Sequence, residues 1–412
     1  MFIKHRVTKA LIVGLLLLFF ACSCQNLSLQ ESKSPSVSKK NEQEKVIEKT
    51  DKEKGKEKTE KKEVIPTVTV DFIAFGDFML HNPQLRAAET SEGYDFSRNF
   101  IHLKDNFIQN AHVSMINLET TLTDGSNGYT TFPVFSSPKE VARDFKNAGF
   151  NIISTANNHS YDKLQKGVDS TIEYLEEQGL EYIGTNKEDS KPKVKDINGM
   201  KLGFISYTYG LNGFDQSLAN SEKPFAVNIL KEEKIVEDCQ YLKDQKVDAI
   251  IAFVHWGNEY QTTPSEYQRH FFEVLSNNGV ILTFGSHPHV MQGVDMRRVG
   301  DMDSYVAYSM GNFVSNQRRE YMKNSRTETG LMVRARLHRD ETGKTRVVGF
   351  TPSPIYVDYF HQNGKKVYEV IPVEAALNGE IPLERMETIR PRLEESMNQY
   401  TELIPPEMLL SM

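Results

Sequence analysis

The sequence is poor in cysteine and tryptophan: its 412 residues include three Cys and one Trp. Cys22 and Cys24 stand near the N-terminus, so the rest of the chain has Cys239 alone. A single thiol excludes an intramolecular disulfide and a cysteine-based metal site there. Cys239 falls in a predicted helix, where we interpret it as a packed, unreactive thiol.

An excess of basic residues is also missing. Residues 67–412 carry 35 Lys and Arg against 47 Asp and Glu, a net charge of −12. An acidic domain of this kind is a poor candidate for nucleic-acid binding. The sequence shows no internal repeat and no second linker, which favours one folded domain over these residues.

The N-terminus has the pattern of a secretory signal. A basic start precedes an apolar run from Ala10 to Phe20, which is too short to span a bilayer comfortably. The following "FFAC" resembles a bacterial lipobox, so residues 1–24 are predicted to be a lipoprotein-type signal peptide with Cys22 lipidated, or Cys24 as the alternative. An ordinary cleaved signal and an uncleaved anchor stay open. We expect lipid anchoring at the extracytoplasmic face of the cell membrane.

Residues 25–66 differ sharply in composition from the rest. Between residues 31 and 66 there are 11 Lys and 9 acidic residues, with almost no aromatic or large apolar groups. Such a segment cannot bury enough apolar surface to offset its conformational entropy. We predict a disordered Lys/Glu-rich tether, with contact to a wall polymer as the alternative interpretation.

From residue 67 onward, strand and helix signals alternate. Apolar runs predict strands at 67–76, 112–119, 150–156, 180–184, 201–209, 248–257, 280–286 and 304–311, and helices at 97–110, 138–148, 164–178, 230–245 and 265–278. This alternation favours an α/β fold with strands covered on both faces. After Gly330 the pattern changes to antiparallel strands and a final helix, so residues 331–412 are expected to complete the domain of residues 67–330.

Polar side chains follow most of these strands. They are Asp77; Asn117 and Glu119; Asn157, Asn158, His159 and Asp162; His255 and Glu259; His287 and His289; and Asn312. In open α/β sheets, sites lie beyond the carboxyl ends of the strands. Oxygen and nitrogen donors of these types suit Mn, Zn, Fe or Mg. Two carboxylates, an asparagine and three histidines would suffice for a two-metal cluster.

Each residue alone also admits an ordinary structural role. A histidine after a strand is often a loop or capping residue, and Asn157 and Asn158 are able to cap a helix or adopt positive φ. The "HPH" segment is more informative, because alternate residues of an extended segment point to the same side. His287 and His289 are therefore expected to face one site.

Six motifs in this order, "GDFML", "NLE", "NNHSYD", "HWGNEY", "GSHPHV" and "SMGNFV", resemble the CapA/PgsA family of capsule biosynthesis proteins over roughly residues 68–315. That family is linked to poly-γ-glutamate synthesis and export and is similar to calcineurin-like metallophosphoesterases. The resemblance implies a four-layer α/β/β/α metallophosphoesterase-like sandwich with one or two divalent metal ions. It also implies that the partners are the polymer and a membrane-bound synthesis or export complex.

The resemblance further implies roles for seven site residues. Asp77 and His289 would bind a first metal; Asn158, His255 and His287 would bind a second; Glu119 would bridge the two; and His159 would be the general acid. Apart from the resemblance, Asp162 is a candidate for supporting a histidine, and candidate substrate contacts are Asn117, Asn157, Glu259, Asn312 and Arg318. Glu259 is also a candidate for orienting a histidine, and a solvated loop is the alternative for Arg318. The sequence departs from ordinary phosphoesterases in lacking an Asp-x-His first motif, since Phe78 and Met79 follow Asp77.

Three functions stay open on the sequence. The first is a membrane-anchored protein of poly-γ-glutamate synthesis or export. The second is an extracytoplasmic metal-dependent hydrolase of phosphoester or amide bonds. The third is a metal-free scaffold, which metal content would distinguish from the other two. The net charge of −12 repels a polyanion at long range, so a metal ion or a local cationic patch would have to supply the attraction.

Overall fold

The computed structural model describes residues 65–406 and Leu410. The predicted signal peptide, Cys22 and Cys24, and the predicted tether up to residue 64 lie outside the described residues. Within the described part, no helix is long and apolar enough to cross a membrane.

Two large sheets form the centre of the domain. The strands are β1 (Val68–Phe78), β2 (Glu89–Thr90), β3 (Gly93–Tyr94), β4 (Val113–Leu118), β5 (Leu122–Thr123), β6 (Ser137–Pro138), β7 (Ile152–Ser154), β8 (Glu181–Ile183), β9 (Lys193–Ile197), β10 (Met200–Thr208), β11 (Ala249–His255), β12 (Val280–Ser286), β13 (Val294–Val299), β14 (Met302–Ala307), β15 (Asn312–Val314), β16 (Thr329–Arg339), β17 (Thr345–Gln362) and β18 (Lys365–Pro372). The first sheet has the order β18-β17-β16-β1-β4-β7-β8, with β15 beside β1, and the second has the order β13-β14-β12-β11-β10-β9.

Helices cover the outer faces of the sheets and connect several of the strands. They are α1 (Asn82–Ala88), α2 (Glu140–Ala148), α3 (Leu164–Glu177), α4 (Asp215–Ala219), α5 (Glu232–Asp244), α6 (Glu266–Asn277), α7 (Arg319–Met322), α8 (Val373–Leu377) and α9 (Met386–Leu403). The start of α6 shows why a helix begins where it does. Ser265 accepts the backbone N–H of Gln268, whose side chain accepts the N–H of Ser265, so both exposed donors are satisfied.

The buried side chains define four layers. On one side of the first sheet, Phe145 of α2 packs edge-on against Phe78 of β1, with ring centroids 4.8 Å apart. Phe72 of β1 and Phe253 of β11 share the central core between the two sheets. Leu275 of α6 belongs to the core on the far side of the second sheet. Residues of β1 alternate between the first two cores, as a strand buried on both faces requires. The predicted four-layer α/β/β/α sandwich is confirmed.

The C-terminal strands extend the first sheet. β16 pairs antiparallel with β1 from Val68 to Phe75, and β17 and β18 continue outward from it. The final helix α9 packs beside α8 against Tyr356 of β17.

Two differences from the predicted elements have physical causes. The helix predicted at 97–110 is wrong, because the segment forms short 3₁₀ helices at Ser97–Phe100 and Ile108–Asn110. The Asn110 side chain bonds the carbonyls of residues 105 and 106, and this local competition opposes a regular helix. The edge strands β9 and β13 were not predicted, since charged edge strands lack a continuous apolar run.

Candidate metal centre

The polar residues that follow the strands converge on one buried region. In the register of β1 and β4, Asp77 lies beside Asn117, and in that of β11 and β12, His255 lies beside Ser286. The predicted site residues that are buried here are Asp77, Asn117, Glu119, Asn157, Asn158, His159, Asp162, His255, His287, His289 and Asn312. Side chains from both sheets therefore meet at the strand carboxyl ends.

Glycine allows the backbone of Asp77 to approach the neighbouring strand. A Cβ at Gly76 would overlap the carbonyl oxygen of Gly311. With no Cβ there, the N–H of Asp77 donates to that same oxygen at 2.9 Å. The two segments "FGD" and "MGN" are thus in direct contact, which places Asp77 and Asn312 side by side.

Asp77 is held from three directions. Nδ2 of Asn117 donates to its Oδ1 at 2.7 Å, and the backbone N–H of His287 donates to Oδ2 at 3.2 Å. Nδ1 of His289 lies 3.2 Å from Oδ2. This carboxylate links the first sheet to the segment that follows β12.

His255 presents one nitrogen to the cluster. The hydroxyl of Ser286 lies 2.8 Å from Nδ1 of His255. The other nitrogen, Nε2, lies 3.1 Å from Oδ1 of Asn158 and 3.5 Å from Oε1 of Glu119. The serine therefore fixes the ring so that Nε2 faces the amide and the carboxylate.

Two groups of three possible metal ligands are present among the described residues, and within each group the ligand atoms lie within 4.8 Å of one another. Glu119 belongs to both groups. One group is Glu119, His287 and His289, and the other is Asp77, Glu119 and His255. This division differs from the one that the resemblance implies, which puts His255 with His287 and Asp77 with His289. The shared position of Glu119 is the position that a bridging carboxylate would need.

The "HPH" segment is not extended, so the predicted geometry is wrong. His287 has φ 98° and His289 has φ 57°, both in the left-handed region that non-glycine residues rarely adopt. The ring centroids are nevertheless 6.0 Å apart, and both imidazoles border Glu119. Strained backbone of this kind is typical of functional sites.

Burial dominates the electrostatics of the centre. Burial, followed by the charge of Asp77, raises the pKa of Glu119 well above its ordinary value. Burial lowers the pKa of His255 to about 3 and that of His287 well below its usual value. For Asp77, burial acts to raise the pKa, but the hydrogen bond from His289 and the charges of His255 and His289 lower it overall. His255 and His287 thus offer neutral lone pairs beside carboxyl groups.

His159 and Asp162 form a pair at the edge of the cluster. Nδ1 of His159 lies 2.8 Å from Oδ2 of Asp162, and the same oxygen accepts the backbone N–H of Phe135. The Phe135 ring meets the imidazole edge to face, with centroids 4.6 Å apart. Nδ2 of Asn212 lies 3.4 Å from the other nitrogen, Nε2. The imidazole is therefore fixed on all of these sides.

The sequence reasoning missed several residues of this region. Tyr209 packs on His287 with ring centroids 4.6 Å apart, and Asn212 follows in the same turn. Both come directly after β10, so the rule applied to the other strand ends would have found them. His81, four residues beyond Asp77, packs its ring against Phe135, with centroids 5.4 Å apart.

Two predicted substrate contacts lie outside the buried cluster. Glu259 is exposed, although it is near enough for its charge to contribute to the raised pKa of Glu119. Arg318 is buried, with Nε 3.1 Å from Oε1 of Glu328, and it donates to the carbonyl of Val357. The solvated-loop alternative for Arg318 is therefore wrong.

The donor set fits a divalent cation. Both carboxylate oxygens of Glu119 and Nδ1 of His287 are buried and have no hydrogen-bond partner among the described residues. Leaving such groups unsatisfied is costly unless an ion or water compensates them. Carboxylate, amide and neutral imidazole donors are the ligands that Mn, Zn, Fe and Mg use, and they do not distinguish among these metals.

Comparison with known proteins places the chain in a family. Over 188 residues it is 30% identical to the capsule biosynthesis protein CapA of Bacillus anthracis, covering 44% of each chain. Over 239 residues it is 24% identical to the PGA biosynthesis protein CapA of Bacillus subtilis (strain 168), covering 54% of this chain and 58% of the relative. The chain thus spans about half the length of these curated relatives.

Among solved structures, the chain is similar to the calcineurin-like phosphoesterase YfkN from Bacillus subtilis, with a TM-score of 0.40 and 13% identity, over 81% of this chain and 99% of that one. The family described as "Bacterial capsule synthesis protein PGA_cap" matches residues 71–317, more than half of the sequence. This match includes every residue of the buried cluster. The chain therefore belongs to the bacterial capsule synthesis protein family PGA_cap.

Proposed function

We propose that this protein is a component of poly-γ-glutamate capsule synthesis or export and that it holds divalent metal at the cluster around Glu119. Membership of the capsule synthesis family supports the biological role, and the names of both relatives refer to capsule or PGA biosynthesis. The single observation that supports metal binding is the buried Glu119 carboxylate, which has no hydrogen-bond partner within the described part of the chain and lies beside the imidazoles of His255, His287 and His289.

The ligands in this proposal are Asp77, Glu119, Asn158, His255, His287 and His289. A bound divalent metal would supply Lewis acidity toward a carbonyl or phosphoryl oxygen of the substrate. The second carboxylate, Asp77, would remain ionised, because its pKa is lowered.

His159 is the proton donor in this proposal. Its Nδ1–H donates to Asp162, so the ring is fixed and Nε2 is the atom that exchanges a proton with the substrate. Protonation of a leaving nitrogen suits cleavage of the amide that joins γ-glutamyl units. Protonation of a leaving oxygen suits a phosphoester, so a metal-dependent phosphoester hydrolase is the second candidate.

The location and partners form part of the same proposal. Lipidation at Cys22 would attach the domain to the outer face of the cell membrane through the tether. There it would meet the polymer as it leaves the cell, together with a membrane-bound synthesis or export complex. Replacing Cys22 by Ser should release the protein from membranes into the medium, whereas Cys24→Ser should not. The reverse result would show that Cys24 is the lipidated residue.

The test is complementation of a capsule-forming strain from which the related gene has been deleted. The wild-type chain should restore surface poly-γ-glutamate, and Glu119→Gln and His159→Ala should not, at equal protein levels. Glu341→Gln is the matched control, since Glu341 is exposed and remote from the cluster. Failure of the wild-type chain to affect the polymer would overturn the capsule role. Full activity of Glu119→Gln would overturn the role of the metal centre.

A further inference from the structure

A cavity lies between one side of α1 and the turn that joins β17 to β18. It has a volume of about 340 Å³ and is lined by Pro83, Arg86, Ala87, Gly364, Lys365 and Lys366. Half of these residues are cationic and none is acidic, in a domain whose residues 67–412 have a net charge of −12. The cavity is therefore a local positive site on an acidic protein.

The three cations have no carboxylate partner among the residues described. Nζ of Lys365 donates to the backbone carbonyl of Glu89 at 3.1 Å. The ammonium of Lys366 lies over the ring of Tyr359, 5.1 Å from its centroid. Other cations of the same sheet are neutralised: Arg336, for example, lies 2.6 Å from Asp71. The charges of this cavity are thus left available to an anion.

The helix α1 connects the cavity to the metal centre. His81 is the N-cap of α1, and Arg86 follows five residues later, about 7–8 Å along the helix axis. The ring of His81 packs on Phe135, which in turn packs on His159. Arg86 of the cavity is therefore connected to the proposed proton donor through α1, His81 and Phe135.

The strand β18 makes a second connection. The hydroxyl of Tyr368 donates to Oδ1 of Asn316 at 2.7 Å, and the N–H of Asn316 donates to Nδ1 of His81 at 3.4 Å. Lys366 is two residues before Tyr368, so the two side chains share a face of the strand. A smaller cavity of about 60 Å³ is lined by both Lys366 and Tyr368. Polar groups thus continue from the cationic cavity toward the site.

We propose that Arg86, Lys365 and Lys366 form a binding subsite for the carboxylates of a polyanionic chain and hold that chain in line with the metal centre. The inference rests on the proposed function for the identity of the chain as poly-γ-glutamate. A polymer with a free carboxylate on every unit is able to engage several of these cations at once. This local attraction offsets the repulsion from the acidic domain, which salt screens beyond about 8–10 Å.

The experiment measures binding of fluorescent γ-linked polyglutamate to the full-length, detergent-solubilised protein at several salt concentrations. The test variant is the triple Arg86→Gln, Lys365→Gln, Lys366→Gln. The matched control is the triple Arg390→Gln, Lys104→Gln, Lys231→Gln, which removes the same charge from residues that do not line the cavity. We expect the test variant to lose on the order of tenfold in affinity and to show a weaker salt dependence, while the control stays near wild type. Both variants should melt at the wild-type temperature.

Each other outcome decides against the subsite. Equal affinity of the two triples, or stronger binding of polyphosphate than of polyglutamate, would overturn it and leave the proposed function intact. A lowered melting temperature with unchanged affinity would assign these cations to stabilising the end of α1. Absence of polymer binding by the wild type would also overturn the subsite, and the complementation test would then decide the capsule role separately. If the triple does not fold, Lys366→Gln alone, compared with Lys104→Gln, should lose about two- to fivefold.

Discussion

Asp162 holds His159 through a single carboxylate oxygen: Oδ2 lies 2.8 Å from Nδ1 of the imidazole and also accepts the backbone N–H of Phe135. Two segments that are separated in sequence, the turn from His159 to Asp162 and the loop that contains Phe135, therefore meet at one atom. Because Nδ1 is engaged, Nε2 is the nitrogen that remains for proton transfer.

Replacing Asp162 by Asn should separate proton donation from metal binding. The amide oxygen is still able to accept these N–H groups, but it lacks the negative charge that strengthens the bond from the Nδ1–H of His159, so the tautomer of the imidazole is held less firmly. We expect polymer yield in the complementation assay to fall roughly 10–100-fold, with the metal content of the purified protein unchanged. Asp169→Asn, at a more exposed site on α3, is the control. A parallel fall in metal content would show instead that Asp162 acts by organising the ligands.

Replacing Glu119 by Gln should abolish metal binding yet stabilise the metal-free protein. The neutral side chain needs no counter-charge in a buried site, whereas the carboxylate lies beside Asp77 and the neutral imidazoles of His255 and His287. Plasma mass spectrometry should find at least about tenfold less Mn or Zn than in wild type. Thermal melts should show a higher midpoint without metal and no further increase when metal is added. Wild-type metal content in this variant would contradict the ligand role.

Metal affinity should weaken as the solution becomes more acidic. Burial and the charge of Asp77 raise the pKa of Glu119, so this group binds a proton that the metal must displace. Burial lowers the pKa of His255 to about 3, so this imidazole is already neutral and contributes no proton release. Calorimetry in buffers of different ionisation enthalpy should detect release of about one proton per site below the pKa of Glu119. Affinity that is independent of pH between about 5 and 8 would contradict this assignment.

The raised pKa of Glu119 also determines the direction in which the stability of the metal-free protein changes with pH. Glu119 ionises near its ordinary pKa in the unfolded chain but only at higher pH in the folded one. The metal-free domain should therefore lose stability as the pH rises from the unfolded pKa to the folded one. Bound metal should remove this loss, and Glu119→Gln should lack it. Urea denaturation at a series of pH values measures all three cases.

The sequence was sufficient to predict which polar side chains come together in the candidate site, because parallel strands bring their carboxyl ends to one edge. Asp77, Glu119 and His255 each end an apolar run, and a run of that kind identifies a buried strand without further information. Asn212 also follows such a strand, so its omission was an incomplete use of the same rule.

Other features of the candidate site are not indicated by any local pattern in the sequence. Phe135 contributes its backbone N–H from a loop, and neither periodicity nor composition indicates that it meets Asp162. His287 and His289 have positive φ values, and the N–H of His287 bonds Asp77 across the two sheets. Contacts between residues that are distant in the chain depend on how the layers pack together, and local sequence patterns do not reveal that packing.

Arg318 and Glu328 form a buried ion pair, 3.1 Å apart, with side chains only 3% and 1% exposed. Glu328 also lies 2.6 Å from Nε of Arg319. Replacing Glu328 by Gln removes the ion-pair partner of the buried Arg318 guanidinium, so the free energy of unfolding should fall by about 3–5 kcal/mol. Glu395→Gln removes only the more exposed partner of Arg319 and should cost under about 1 kcal/mol. Urea denaturation of both variants measures the difference. If the two losses were equally small, Arg318 would not depend on this pair, and its predicted contact with substrate would become the better account of its position.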